Sequence, residues 1–226
     1  MFRKIFNVWK RENLLNQALG LTETMFSLAS NNFDIATEEL IRNLNIKRAK
    51  IYSTDQKINE CEKNVRKKVL EHLAINPKQD TSYSLILITV VKDLERIGDY
   101  VKNIVELANH YPKQLPDDAY SKELIAIRNN MSTILKDSIN IFKQADVERA
   151  KEYYKYYRKV TEKVDGMILH ILDEKDLVVR EAVIYALFSR YLKRIAAHLA
   201  NILTTIINPF HLVGYGFDEF KNEEVE

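Results

Sequence analysis

Glu95 and Asp99 stand four residues apart in the run DLERIGDYVKNI. On a helix that spacing is about one turn, so both carboxylates project from one face. Lys92 and Arg96 flank them, and Asn103 continues the line another turn on. Two oxygen donors one turn apart suit a hard or borderline divalent cation, provided a neighbouring helix supplies more. Asp55, Asn59 and Glu62 repeat the one-turn interval and are such a source. The competing reading is plainer: helix-surface acids that sit in water or pair with lysine and arginine. Other reactive residues form no constellation. His72, His110, His170, His198 and His211 contain no HExxH or ExxH pair, which leaves zincin and ferritin-like di-iron sites without support. The single cysteine, Cys61, excludes a CxxC site and an internal disulfide. Glu60 and Glu62 beside it oppose thiolate formation. No nucleophile elbow or Ser-His-Asp order is present.

The elements that must position these residues follow from what the chain lacks. Among 226 residues there are only five Gly and four Pro, about a third of the ordinary combined usage of roughly 12%. A β-sandwich or α/β fold of this length needs many turns, and turns need those residues. The glycines are also too dispersed for a phosphate-cradling loop. Long helices remain. Breaks at Asn76-Pro77, at Tyr111-Pro112 through Asp118, and at Asn208-Pro209 divide the chain, and Asp80, Thr81 and Ser82 offer helix N-caps after the first. Softer turns at 43–45, 144–146 and 173–176 complete six predicted helices, near 12–43, 46–75, 81–110, 118–144, 146–174 and 177–207. Leu87, Val90, Val91, Leu94, Ile97, Val101, Ile104 and Ala108 give the third an apolar stripe at helical spacing. Ile184, Leu187, Phe188, Tyr191, Ile195, Leu199, Ile202 and Ile206 give the sixth another.

The middle break falls at the midpoint, and a weak repeat spans it. Arg48-Ala49-Lys50 matches Arg149-Ala150-Lys151, and Leu94, Arg96, Ile97, Asn103 and Ile104 match Leu192, Arg194, Ile195, Asn201 and Ile202. Each half reads as three helices whose stripes can be buried only against one another. The expected fold is all-α: two tandem antiparallel three-helix bundles, residues 1–113 and 114–208, with an acidic tail at 209–226. No apolar run approaches the roughly 18 residues of a membrane span. The net charge of +2 gives no nucleic-acid footprint. With one cysteine and no leader-like segment, an intracellular protein is expected.

The segment DLERIGDYVKNIVELA, residues 93–108, resembles the signature of the PhoU family, its E-x-x-x-D pair falling on Glu95 and Asp99. The upstream run DQKINECE, residues 55–62, is similar to that family's second-helix pattern, and the repeat and six-helix layout agree with it. The resemblance implies a non-enzymatic regulator of phosphate homeostasis with pseudo-twofold symmetry. It would restrain uptake by contact with a membrane phosphate transporter, a sensor histidine kinase or both, from the cytoplasmic side. Because some members bind iron or zinc clusters through the E-x-x-x-D pairs, it also implies Glu95 and Asp99 as metal ligands, with Asp55 contributing. A metal-binding or metal-storing protein and a ligand-free oligomerisation scaffold are the alternatives.

The second half departs from that pattern. Aligning the repeats puts Lys193 where Glu95 stands, Ala197 where Asp99 stands, and Tyr157 opposite Asp55. A metal is therefore expected in the first repeat only, if in either. Arg190, Lys193, Arg194 and His198 instead present donors, which can hold an anion or an acidic patch on a partner. Salt bridges to the acidic first half are the alternative use of those donors. Tyr153, Tyr154, Tyr156 and Tyr157 read as shared between bundle packing and a protein contact. At the N-terminus, Phe2, Lys4, Phe6 and Trp9 belong to a short basic amphipathic stretch suited to an anionic membrane surface. Its alternative partners are the protein's own bundle and the mate of a homodimer.

Overall fold

The computed structural model describes residues 14–46, 48–76 and 80–216. Six helices account for nearly all of them: α1 Leu14–Arg42, α2 Arg48–Ile75, α3 Thr81–His110, α4 Ala119–Gln144, α5 Val147–Asp173 and α6 Val179–Ile207. A single 3-10 turn, Phe210–Leu212, follows. No strand occurs among the described residues.

Local chemistry explains where the helices stop. Asn43 and Asn45 take positive φ, 53° and 57°, a conformation asparagine tolerates better than most residues, and α1 ends there. Asp118 and Asp146 cap α4 and α5 by accepting from the Ser121 and Arg149 backbone N–H at 2.8 and 3.1 Å. Asp80 occupies the N-cap position of α3 but caps nothing with its side chain. Its φ of 59° turns the carboxylate toward His72, whose Nε2 lies 3.6 Å away.

Packing follows the apolar stripes. In the first bundle, Leu87, Val90, Val91, Leu94, Ile97, Val101 and Ile104 of α3 are fully buried, facing Phe26 and Phe33 of α1 and Ile51, Ile58 and Val65 of α2. Each such side chain contributes about 1.5–3 kcal/mol relative to exposure. In the second bundle the buried line of α6 runs through Ile184, Phe188, Leu192, Ile195 and Leu199. Leu187, expected on that line, is 37% exposed, because one residue before Phe188 it points about 100° away. Helix α5 buries only five side chains along its length and leans on α6 far more than on α4.

The two bundles share one continuous core, joined chiefly by α3 against α6 and α1 against α4. The α3–α6 crossing carries the pseudo-twofold axis in its contacts. His198 Nδ1 lies 2.8 Å from Asp93 Oδ1, while the rings of Tyr191 and Tyr100 lie 6.3 Å apart. In the repeat alignment Tyr191 is the equivalent of Asp93 and His198 that of Tyr100. Exchanging the two helices therefore maps one contact onto the other.

Candidate functional site

Helices α2 and α3 bring Asp55 and Asp99 together. Asp55 is buried, and its carboxylate packs close to the α3 backbone because residue 98 is glycine: a Cβ there would lie 3.3 Å from Asp55 Oδ1. Between the two carboxylates stands a third side chain. Lys102, one turn beyond Asp99, places Nζ 2.9 Å from Asp55 Oδ2 and 2.9 Å from Asp99 Oδ1. The other oxygen of Asp99 accepts from Arg96 Nη1 at 2.9 Å, and Asn59 Nδ2 lies 3.5 Å from Asp55 Oδ2. Glu95 projects along the same face but pairs with Lys92 at 3.2 Å and Arg96 at 3.6 Å. Glu62, one turn beyond Asn59, is buried against Arg66 at 2.7 Å.

Electrostatics reinforce this arrangement. Partial burial acts to raise the Asp99 pKa, but hydrogen bonding and attraction to Lys102, with Arg96 adding to it, outweigh that effect and lower it. Partial burial also acts to lower the Lys102 pKa, and its two aspartates overturn that and raise it. Asp55, Glu95 and Asp99 thus meet Lys92, Arg96 and Lys102, one cation for each anion. An open groove of about 400 Å³ runs beside them, lined by Tyr52, Asp99, Tyr100, Lys102 and Glu106, with Tyr52 donating to Glu106 Oε1 at 2.7 Å.

A divalent metal is the group the acidic pair suggests, and the donors fit it poorly. Asp55 and Asp99 already share an ammonium, and Glu95 is turned to two other cations. Among the described residues no group of three or more His, Cys, Asp or Glu side chains is placed to hold a metal ion.

The second repeat is built differently. Lys193 Nζ reaches Asp165 of α5 at 2.6 and 2.7 Å. Arg194 Nε donates to Tyr100 Oη at 2.9 Å, its guanidinium 5.6 Å from that ring's centre. His198 pairs with Asp93, which also accepts from Asn201 Nδ2 at 3.3 Å. So His198 pairs into the first half, whereas the acid that holds Lys193 lies in the second. Arg190 is exposed at the edge of the group. Tyr157, opposite Asp55 in the repeat alignment, packs edge-on to Tyr154 at 5.7 Å. Phe2, Lys4, Phe6 and Trp9 lie outside the described residues. No helix among the described residues is long and apolar enough to cross a membrane. Burial first, and Glu60 second, raise the pKa of the Cys61 thiol.

Sequence reasoning passed over Lys102, although its spacing of three from Asp99 and seven from Glu95 puts it on their face. It also missed Asp93, which reads as a surface acid until α6 is laid against it.

A duplicated three-helix unit, joined along its third helices and free of strands among the described residues, defines the class. The PhoU domain model matches residues 22–108 and again 125–206, and the chain belongs to the PhoU family. It is 24% identical over 188 residues, 81% of either chain, to a Thermotoga maritima protein named phosphate-specific transport system accessory protein PhoU homolog 1. A Clostridium acetobutylicum accessory protein PhoU homolog is 23% identical over 163 residues, 70% of this chain and 74% of that one. The crystal structure of PhoU from Pseudomonas aeruginosa superposes with a TM-score of 0.77 at 20% identity, covering 86% of this chain and 95% of that one.

Proposed function

We propose that this protein regulates phosphate uptake by docking on a membrane phosphate transporter component, or on the sensor kinase coupled to it, at the cytoplasmic face. The observation that carries the reading is the match of both helical repeats to a family whose relatives are named accessory proteins of phosphate-specific transport. The surface is in keeping with a role exerted through contact. Val179, Val183 and Leu187 of α6 and Leu169 and Leu172 of α5 are exposed apolar side chains near the turn that joins the two helices, and a partner that covered them would gain by their burial. Regulation then needs no bond-making step: docking favours one transporter state by whatever difference in affinity the two states offer.

The test is deletion of the gene with measurement of radiolabelled phosphate uptake at high external phosphate, together with affinity capture from solubilised membranes. Raised uptake in the deletion strain and recovery of a phosphate-transporter subunit or its kinase are expected. Unchanged uptake with neither partner recovered would overturn the reading. Phe2, Lys4, Phe6 and Trp9 are proposed to rest on the membrane during docking. Sedimentation with anionic liposomes should fall when residues 1–11 are removed.

A further inference from the structure

We infer that Lys102 is the resident cation of the first repeat, its ammonium holding Asp55 and Asp99 together where a divalent ion would otherwise sit, so that this bundle closes without metal. Three observations converge. The ammonium is 2.9 Å from a carboxylate oxygen on each of two helices, so it bridges α2 and α3 as a metal would. Asp55, the more buried acid, has its second oxygen pressed against Gly98, which leaves the Lys102 side as its open direction. The remaining acid of the face, Glu95, is engaged by Lys92 and Arg96 and supplies no surplus negative charge. A divalent ion bound there would have to expel a hydrogen-bonded ammonium or tolerate it at close range, and both oppose binding.

The second repeat uses the same device with exchanged parts. Lys193, at the position equivalent to Glu95, ties α6 to Asp165 of α5 through both carboxylate oxygens. In each bundle a lysine of the third helix thus bridges to an aspartate of the second. The acids lost from the second repeat and the acids kept in the first lead to one outcome, a tethered cation in each.

The test uses the full-length protein, stripped of metal with a chelator, equilibrated with Zn²⁺ or anaerobically with Fe²⁺, desalted and assayed for bound metal by elemental analysis. Wild type, Asp55→Asn, Lys102→Met and the double variant are compared, with helicity checked by circular dichroism. Lys102→Met keeps the apolar stem and removes the charge. Wild type is expected to retain no metal that depends on Asp55. Lys102→Met is expected to melt below wild type, and Asp55→Asn to cost less in that background than in wild type, because the two side chains act as one bridge. Added Zn²⁺ should leave the melting temperature of wild type unmoved. A stoichiometric equivalent in wild type that Asp55→Asn removes would overturn the inference. So would an Asp55→Asn cost that is the same with Lys102 present and with Lys102→Met, in folded proteins. If Lys102→Met does not fold, the wild-type and Asp55→Asn arms decide alone.

Discussion

Replacing Arg128 by alanine should loosen the junction of the two bundles more than the loss of any surface charge. Arg128 projects from α4 into α1 and is 8% exposed. Its Nε donates to Thr37 Oγ1 at 2.7 Å, and Nη2 donates to the Asp34 carbonyl at 3.2 Å and its carboxylate at 3.3 Å. Nη1 lies 3.2 Å from Glu38 Oε1. Truncating one member of a buried ion pair costs about 3–5 kcal/mol when the other is left bare. Here the acids are not left bare. Asp34 keeps Ser132 at 2.6 Å and Lys136 at 2.5 Å, Glu38 keeps Arg42 at 2.8 Å, and the two carboxylates remain 24% and 29% exposed to water. The expected cost is therefore about 2–3 kcal/mol, mostly charge-assisted hydrogen bonds lost to Thr37, Asp34 and Glu38. For a chain of this length that is a fall in melting temperature of about 4–12 °C. Equilibrium urea denaturation followed by circular dichroism measures it. Arg128→Lys, which keeps the charge and loses the planar fork, should fall between. A double-mutant cycle with Asp34→Ala should return a coupling of about 0.5–3 kcal/mol. A cost below about 0.5 kcal/mol, typical of ordinary surface substitutions, would refute the argument that α4 is held to α1 by this side chain.

The Asp99–Lys102 pair sets a pH window. A lowered carboxylate pKa contributes stability that is present above the unfolded value of 3.8 and is lost as pH falls through the folded value below it. A raised lysine pKa contributes stability present below 10.5 and lost as pH rises through the folded value above it. The stability gap between wild type and Lys102→Met should be flat between those limits and shrink outside them, as melts across pH will record. His198→Ala leaves buried Asp93 with Asn201 alone and should cost about 1–3 kcal/mol. Asp93→Asn in the same background should recover part of that loss, since no buried charge then goes unpaired.

How much was readable in advance depended on the range of the cause. Prolines, asparagines and the aspartates at 118 and 146 act within a few residues, so the helix limits agree with the sequence reading to within two residues. Asp80 shows where local rules end. Its position was right for a cap, but a positive φ and a neighbour on the preceding helix redirected its side chain. The α3 stripe was legible in full, whereas Leu187 of α6 is 37% exposed, one position off the buried line. At the candidate site the acids announced themselves by spacing. What neutralises them did so only in part: Lys102 lies on their face, but its distance to Asp55 depends on how α2 settles against Gly98. Arg128 and His198 find their partners more than ninety residues away in sequence, and no periodicity carries that information.

Divergence between the repeats has a consequence for how a partner meets them. The axis relating them passes between two equivalent contacts, one an aspartate–histidine pair and the other two tyrosine rings. The fold is therefore symmetric while its chemistry is not. On the first-repeat side the groove beside the axis is lined by Tyr52, Glu106, Asp99 and the Arg96 and Lys102 that pair with Asp99. On the second-repeat side Arg190 is exposed, with the apolar Val183 and Leu187 on the same helix face, while Arg194 reaches across to Tyr100. One partner surface, used twice, could not match both sides. On the docking proposed above, one molecule would meet its partner through one repeat and leave the other facing outward. Charge reversal on one side at a time reads this out: Arg190→Glu, and separately Glu106→Lys, should abolish different interactions. Equal loss of a single interaction from both variants would mean that the repeats act as one surface.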